Sequence, residues 1–121
     1  MEVQNALQQF LVTNPNVSSD IRWKENVKVV EDEYKKMILN AEIIEYNLIG
    51  SENKQIGINA NKFHEQFGEQ AELITKLDEN GYYGADYVSF VPMLIKIVQS
   101  QQKKIDELEE RLARLEQLLS V

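Results

Sequence analysis

The sequence predicts an α+β fold, mainly helical: a small domain of short helices and β-hairpins that feeds one long C-terminal helix. Three observations carry this. A seven-residue apolar repeat runs unbroken from Val91 to Leu119. Upstream, one alternating stretch closed by a glycine and one pair of apolar arms around Asn80-Gly81 each read as a hairpin. The 121 residues are 43% hydrophobic and 27% charged, the balance of one folded domain with a modest core.

Taken in chain order, Val3, Leu7, Phe10 and Leu11 suit a short helix, although "FLVT" suits a strand end equally well. "NPNVSSD" is rich in turn formers and reads as an exposed joint. It divides the chain into a leading segment 1–18, a core 19–88 and a C-terminal helix 89–121. From Asn26 to Asn40, the residues Val27, Val30, Tyr34, Met37 and Ile38 recur at helical spacing. On that helix Glu31 would face Lys35 and Asp32 would face Lys36. "EIIEYNLIG" then alternates, with Ile44, Tyr46 and Leu48 set against Glu45 and Asn47. It predicts a strand closed by Gly50, and "QIGIN" its return. Ala60, Phe63 and Phe67 predict a short helix ended by Gly68. "ELITKLDENGYYGADY" predicts a second hairpin around Asn80-Gly81.

The C-terminal repeat is the clearest signal. With Val91 at position a, the seam runs through Leu94, Val98, Gln101, Ile105, Leu108, Leu112, Leu115 and Leu119. Only Gln101 is polar, and the pattern is that of a coiled coil. Lys104 and Arg111 fall at g, and Glu109 and Glu116 at the following e. In a parallel, in-register assembly these face one another with opposite sign. The competing reading is a helix packed on its own domain. Pro92 is compatible only with a first turn, so the helix should start just before it, capped by Asp86 or Ser89. The seam residues alone leave two strands or three open.

Composition narrows the chemistry. A formal net charge of -7 makes nucleic acid and anionic membranes poor partners. The absence of cysteine excludes disulfides, thiol catalysis and thiolate metal sites. "MEVQNALQQF" lacks the basic and apolar regions of a signal peptide, and no apolar run approaches a membrane span. The sequon Asn16-Val17-Ser18 is therefore read as chance. His64, the only histidine, is expected to face solvent, and no ligand cluster calls for a metal or cofactor. Asp32/Glu33 and Asp78/Glu79 read as solvated faces, and Tyr82, Tyr83 and Tyr87 as packing in the second hairpin. On the residues alone, Ser19 or Asp20 is a helix N-cap worth about 1 kcal/mol, Lys24 a solvated charge and Trp23 a core anchor.

Three blocks, in order, alter that reading: "SDIRWKENVKVV", "IGINANKFHEQF" and "DENGYYGADYVSFVPMLIKIVQSQQKKIDELEERL". Together they resemble the peptidase S74 family, the C-terminal intramolecular chaperone domain of bacteriophage tail spike, tail fibre and neck appendage proteins. The likeness spans residue 19 to about residue 112. Trp23 stands where the family has leucine, and Asn61 and Lys62 stand where Gln and Glu are common. The resemblance implies a homotrimer that folds the fibrous passenger preceding it, to which residues 1–18 would belong, and then cuts itself off. It implies Ser19 as nucleophile and Lys24 as general base, with no cofactor. It places the precursor in the bacterial host cytoplasm, with the chaperone part released from the mature virion protein.

A serine hydroxyl needs a base, and lysine serves only when burial strips its charge. Five residues apart on a regular helix, Ser19 and Lys24 would lie on different faces, so the segment must bend or the pair must come from two chains. Attack by Ser19 on its preceding carbonyl passes through a five-membered ring and cuts Ser18–Ser19. Attack across chains leaves Ser19–Asp20 open. The alternative function is a non-catalytic coiled-coil oligomerisation module.

Overall fold

The computed structural model describes residues 5, 6 and 19–120. The expectations for the rest of 1–18, including the sequon and the scissile-bond residue Ser18, lie outside the described residues.

From Ser19 the chain enters a 3₁₀ turn, Ile21–Trp23, and then runs without helix or strand to Tyr34. The helix expected from Asn26 to Asn40 is much shorter: α1 spans only Lys35–Leu39. Asn26 takes a left-handed φ of 53°, which breaks any regular course there. The β-branched Val27, Val29 and Val30 do not favour helix. The Glu33 carboxylate also accepts the Glu31 N–H at 2.8 Å, a local bond that competes with the helical ladder. The expected Glu31–Lys35 and Asp32–Lys36 pairs give way to distant partners. Glu31 pairs with Lys96 at 3.8 Å, Asp32 accepts from the Ser100 hydroxyl at 2.8 Å, and the Glu33 carbonyl accepts from Gln70.

Both predicted hairpins form. Strands β1 (Ile43–Tyr46) and β2 (Gln55–Ile58) pair antiparallel, with Ile43 opposite Ile58 and Tyr46 opposite Gln55. Ile43, Ile56 and Ile58 therefore share one face. Helix α2 (Ala60–Phe67) follows at once, capped by the Asn59 carboxamide on the Lys62 N–H and ended by Gly68 at φ 54°. A 3₁₀ helix, Gly68–Leu73, leads to β3 (Thr75–Leu77), which pairs with β4 (Tyr83–Ala85). Their turn is a three-residue loop rather than a bare Asn-Gly turn. Asp78 O accepts from Gly81 N, Asp78 N donates to Tyr82 O, and Gly81 takes φ 84°.

The core is small. Met37 and Ile38 of α1, Ile58 of β2, Phe63 of α2, Ala71 and Ile74, and Ile97 of the last helix are its buried apolar members. The Phe63 ring lies 5.3 Å from that of Phe67 and 6.2 Å from that of Phe90.

The long helix, α3, spans Phe90–Leu119. Of the two expected caps, Asp86 serves. Its carboxylate accepts from Val88 N and the Ser89 hydroxyl and so closes the 3₁₀ turn Tyr87–Ser89 that runs into α3. Ser89 makes no side-chain cap, and Pro92 sits in the first turn as its chemistry requires. The first third of α3 carries two apolar stripes side by side. Phe90, Met93 and Ile97 turn into the domain, whereas Val91, Leu94 and Val98 stay exposed. Successive residues differ by about 100° around a helix, so the two stripes stand about 100° apart. The apolar heptad stripe and the face packed on the helix's own domain thus lie on different sides of α3. From Gln101 to Ser120 every residue is exposed.

Candidate functional site

Ser19 and Lys24 flank the opening 3₁₀ turn. The turn forms because Asp20 caps it: the carboxylate accepts from Arg22 N at 2.9 Å and grips the Arg22 guanidinium, the shortest bond being 2.7 Å to Nη2. Trp23 N donates to Asp20 O and Lys24 N to Ile21 O. The guanidinium contact, helped by the Arg22 N–H, holds the Asp20 carboxyl down at about 2, against an ordinary 3.8. The same pair raises Arg22 further. The expected cap is therefore present and leaves Ser19 free of a capping duty. The chain bends at this turn, between Ser19 and Lys24. It does not bury the pair, since Ser19 and Lys24 are both exposed in the single chain. Trp23 is half-buried, and Ile21 beside it is exposed.

The second feature is the stripe along α3. Each of its eight apolar seam positions is exposed, and even the least exposed, Ile105, shows 46% of its surface. Gln101 is exposed with them. Among the described residues no helix is long and apolar enough to cross a membrane, so the stripe is not a span.

Two apolar grooves flank the upper part of α3. One, of about 560 Å³, includes Val29, Val30, Leu73, Pro92 and Ile95 in its lining and lies on the side of the core stripe away from the seam. The other, of about 380 Å³, is floored by Ile38 and Ile58 and walled by Ile43, Ile56, Val91 and Leu94. Sequence reading missed both, because each is assembled from segments far apart in the chain.

His64 departs from expectation. It is half-buried, its ring lies 5.0 Å from that of Tyr83, and its Nδ1 sits 3.5 Å from Thr75 Oγ1. Thr75 is 1% exposed, and its hydroxyl already donates to Ala71 O at 3.0 Å. Its oxygen is thus placed to accept from His64. Tyr82 is exposed rather than packed, and Tyr87 lies past β4 in the 3₁₀ turn, where its hydroxyl accepts from Ile58 N of the first hairpin at 3.1 Å. Asp78 and Asp32 are bonded rather than simply solvated: Asp78 accepts from Asn80 N and Tyr82 N, and Asp32 from Ser100. Among the described residues no three metal-ligating side chains gather.

No family model, no curated protein and no solved structure matches this chain. The likeness to the peptidase S74 family rests on the three sequence blocks.

Proposed function

We propose that the chain is a self-cleaving intramolecular chaperone: it trimerises through α3, brings together and folds the segment preceding residue 19, and releases itself by a Ser-Lys cut beside Ser19. The observation that carries the assembly half is the exposed stripe. A helix whose second apolar face is already used by its own domain keeps a full heptad stripe in water, and heptad spacing is the pattern that a partner helix covers. Complementary charges at g and e make a parallel copy of the same chain the fitting partner.

The chemistry follows from the joint. Ser19 Oγ attacks the carbonyl carbon before it while Lys24 takes the hydroxyl proton. The Ser18–Ser19 amide opens as the Ser19 nitrogen leaves with a proton, and water then hydrolyses the ester. Attack on a neighbouring chain leaves Ser19–Asp20 open as the bond cut. Either route needs a neutral Lys24, hence burial that the single chain does not provide. The neighbouring chains of a trimer supply that burial in this reading. The exposure of Lys24 equally favours a second reading, an oligomerisation module with an inert Ser-Lys pair.

Mass spectrometry of freshly expressed protein separates the two. A fragment beginning at Ser19 or Asp20, lost in Ser19→Ala, Lys24→Ala and Lys24→Arg, supports the protease. Arginine fails as a base because it stays protonated. Cleavage at this joint that persists in Ser19→Ala removes the dyad, and no cleavage in assembled wild type leaves the module.

A further inference from the structure

The seam does not stop at the helix. Val91 and Leu94 are at once the first a and d residues of the heptads and one wall of the 380 Å³ groove, whose opposite wall is Ile43 and Ile56 of the first hairpin. Those two isoleucines are 64% and 76% exposed on the face they share with the buried Ile58. The groove walls include no charged side chain.

The geometry of α3 fixes what this groove faces. Because the core stripe and the seam lie about 100° apart rather than opposite, each domain stands to one side of an assembly's axis, leaning over one neighbour. The groove opens on the seam side of the domain, and the 560 Å³ groove on the other. In a parallel, in-register assembly the neighbour's Val91 and Leu94 arrive at this level. Lys104 against Glu109 and Arg111 against Glu116 select that parallel register.

We propose that the groove walled by Ile43, Ile56, Val91 and Leu94 seats the start of α3 from a neighbouring copy of this chain, so that the first hairpin is part of the subunit interface. The inference rests on the reading that the chain self-associates in parallel through α3. Hydrophobic matching supplies the affinity, and the hairpin adds a contact that a bare coiled coil lacks. It also fixes the rotation of each domain about its helix, because the hairpin meets only one neighbour.

The test is self-association of the full chain by sedimentation velocity across a concentration series, with circular dichroism checking the fold. Ile43→Asp with Ile56→Asp should weaken assembly about a hundredfold or more, since both charges would have to enter an apolar contact. Both side chains are exposed in the single chain, so its own fold should hold. Should that pair misfold, Ile56→Thr keeps the branched shape and should still weaken assembly about tenfold. Ile49→Asp, at the fully exposed hairpin tip (105%), should change nothing. Unchanged assembly in the Ile43/Ile56 variants, while Leu108→Asp with Leu112→Asp yields monomers, overturns the inference and leaves self-association through α3 standing. Equal weakening by Ile49→Asp overturns it too. A monomeric wild type overturns both.

Discussion

Gly57→Ala tests how the first hairpin is fastened to the base of α3. A β-carbon at Gly57 would overlap the Tyr87 hydroxyl and stand 3.3 Å from Tyr46 Cε1. Tyr87 cannot swing away without loss, because its hydroxyl accepts the part-buried Ile58 N–H at 3.1 Å and its ring lies 6.0 Å from that of Phe90. Two costs follow. Overpacking of a fitted contact costs about 1–3 kcal/mol. An Ile58 N–H left without its partner costs about 1–3 kcal/mol more if it stays dry. Water can reach part of this site, so the expected loss is about 2–4 kcal/mol. Tyr87→Phe alone should cost about 1 kcal/mol, the net worth of the bond. It also removes the atom that the new methyl strikes. Gly57→Ala should therefore cost at least about 1 kcal/mol less in the Tyr87→Phe background, a coupling that a double-mutant cycle reads directly. Urea denaturation followed by circular dichroism, at one fixed chain concentration so that association stays constant, measures all four corners. A Gly57→Ala loss under about 0.5 kcal/mol, or the same loss in both backgrounds, would refute the reasoning, since surface substitutions fall in that range.

Two further outcomes are expected. The Asp20 carboxyl is depressed, so the stability it lends the opening turn is fully present above the ordinary value of 3.8 and is lost as pH falls through about 2. A carbon-detected NMR titration should find its midpoint near about 2 and find it moved up towards the ordinary value in Arg22→Ala; an unmoved midpoint would discard the Arg22 clamp as its cause. Leu108→Asp with Leu112→Asp, far from the joint, should give a monomer in which Ser19 and Lys24 are intact yet uncut. Efficient cleavage by a verified monomer would place the whole active site within one chain.

What was legible in the sequence was local. Gly68 ends α2, Asn80-Gly81 marks the second turn, and Pro92 fixes the start of α3, each through the φ it permits or the N–H it lacks. The heptads were legible because periodicity needs no tertiary information. The segment 26–33 was not. Its valines and i,i+4 charges scan as a helix, but Ser100, Lys96 and Gln70, all dozens of residues away, bond to Asp32, Glu31 and Glu33, and the segment stays irregular. His64 was misplaced for the same reason, since Thr75 and Tyr83 come from the other side of a turn. At the joint, the Ser-Lys spacing was legible, whereas the Asp20–Arg22 clamp that shapes the turn between them was not read. Nor was the neighbouring of two stripes on α3, because a heptad scan reports one face at a time.

The all-exposed stretch from Gln101 to Ser120 also bears on the order of events. A lone helix of about 20 residues is marginal in water and relaxes in about 0.1–1 μs. The local Gln102–Asp106 and Glu110–Arg114 contacts do little to change that. At about 1.5 Å per residue, the arm carries its sticky stripe roughly 28 Å beyond the last contact with the domain. In the proposed parallel assembly, these protruding arms would be the first parts of two chains to meet. Under the proposed function, the arm that reaches a partner first and the bond beside Ser19 belong to opposite ends of the described chain, so cutting there would follow the encounter rather than begin it.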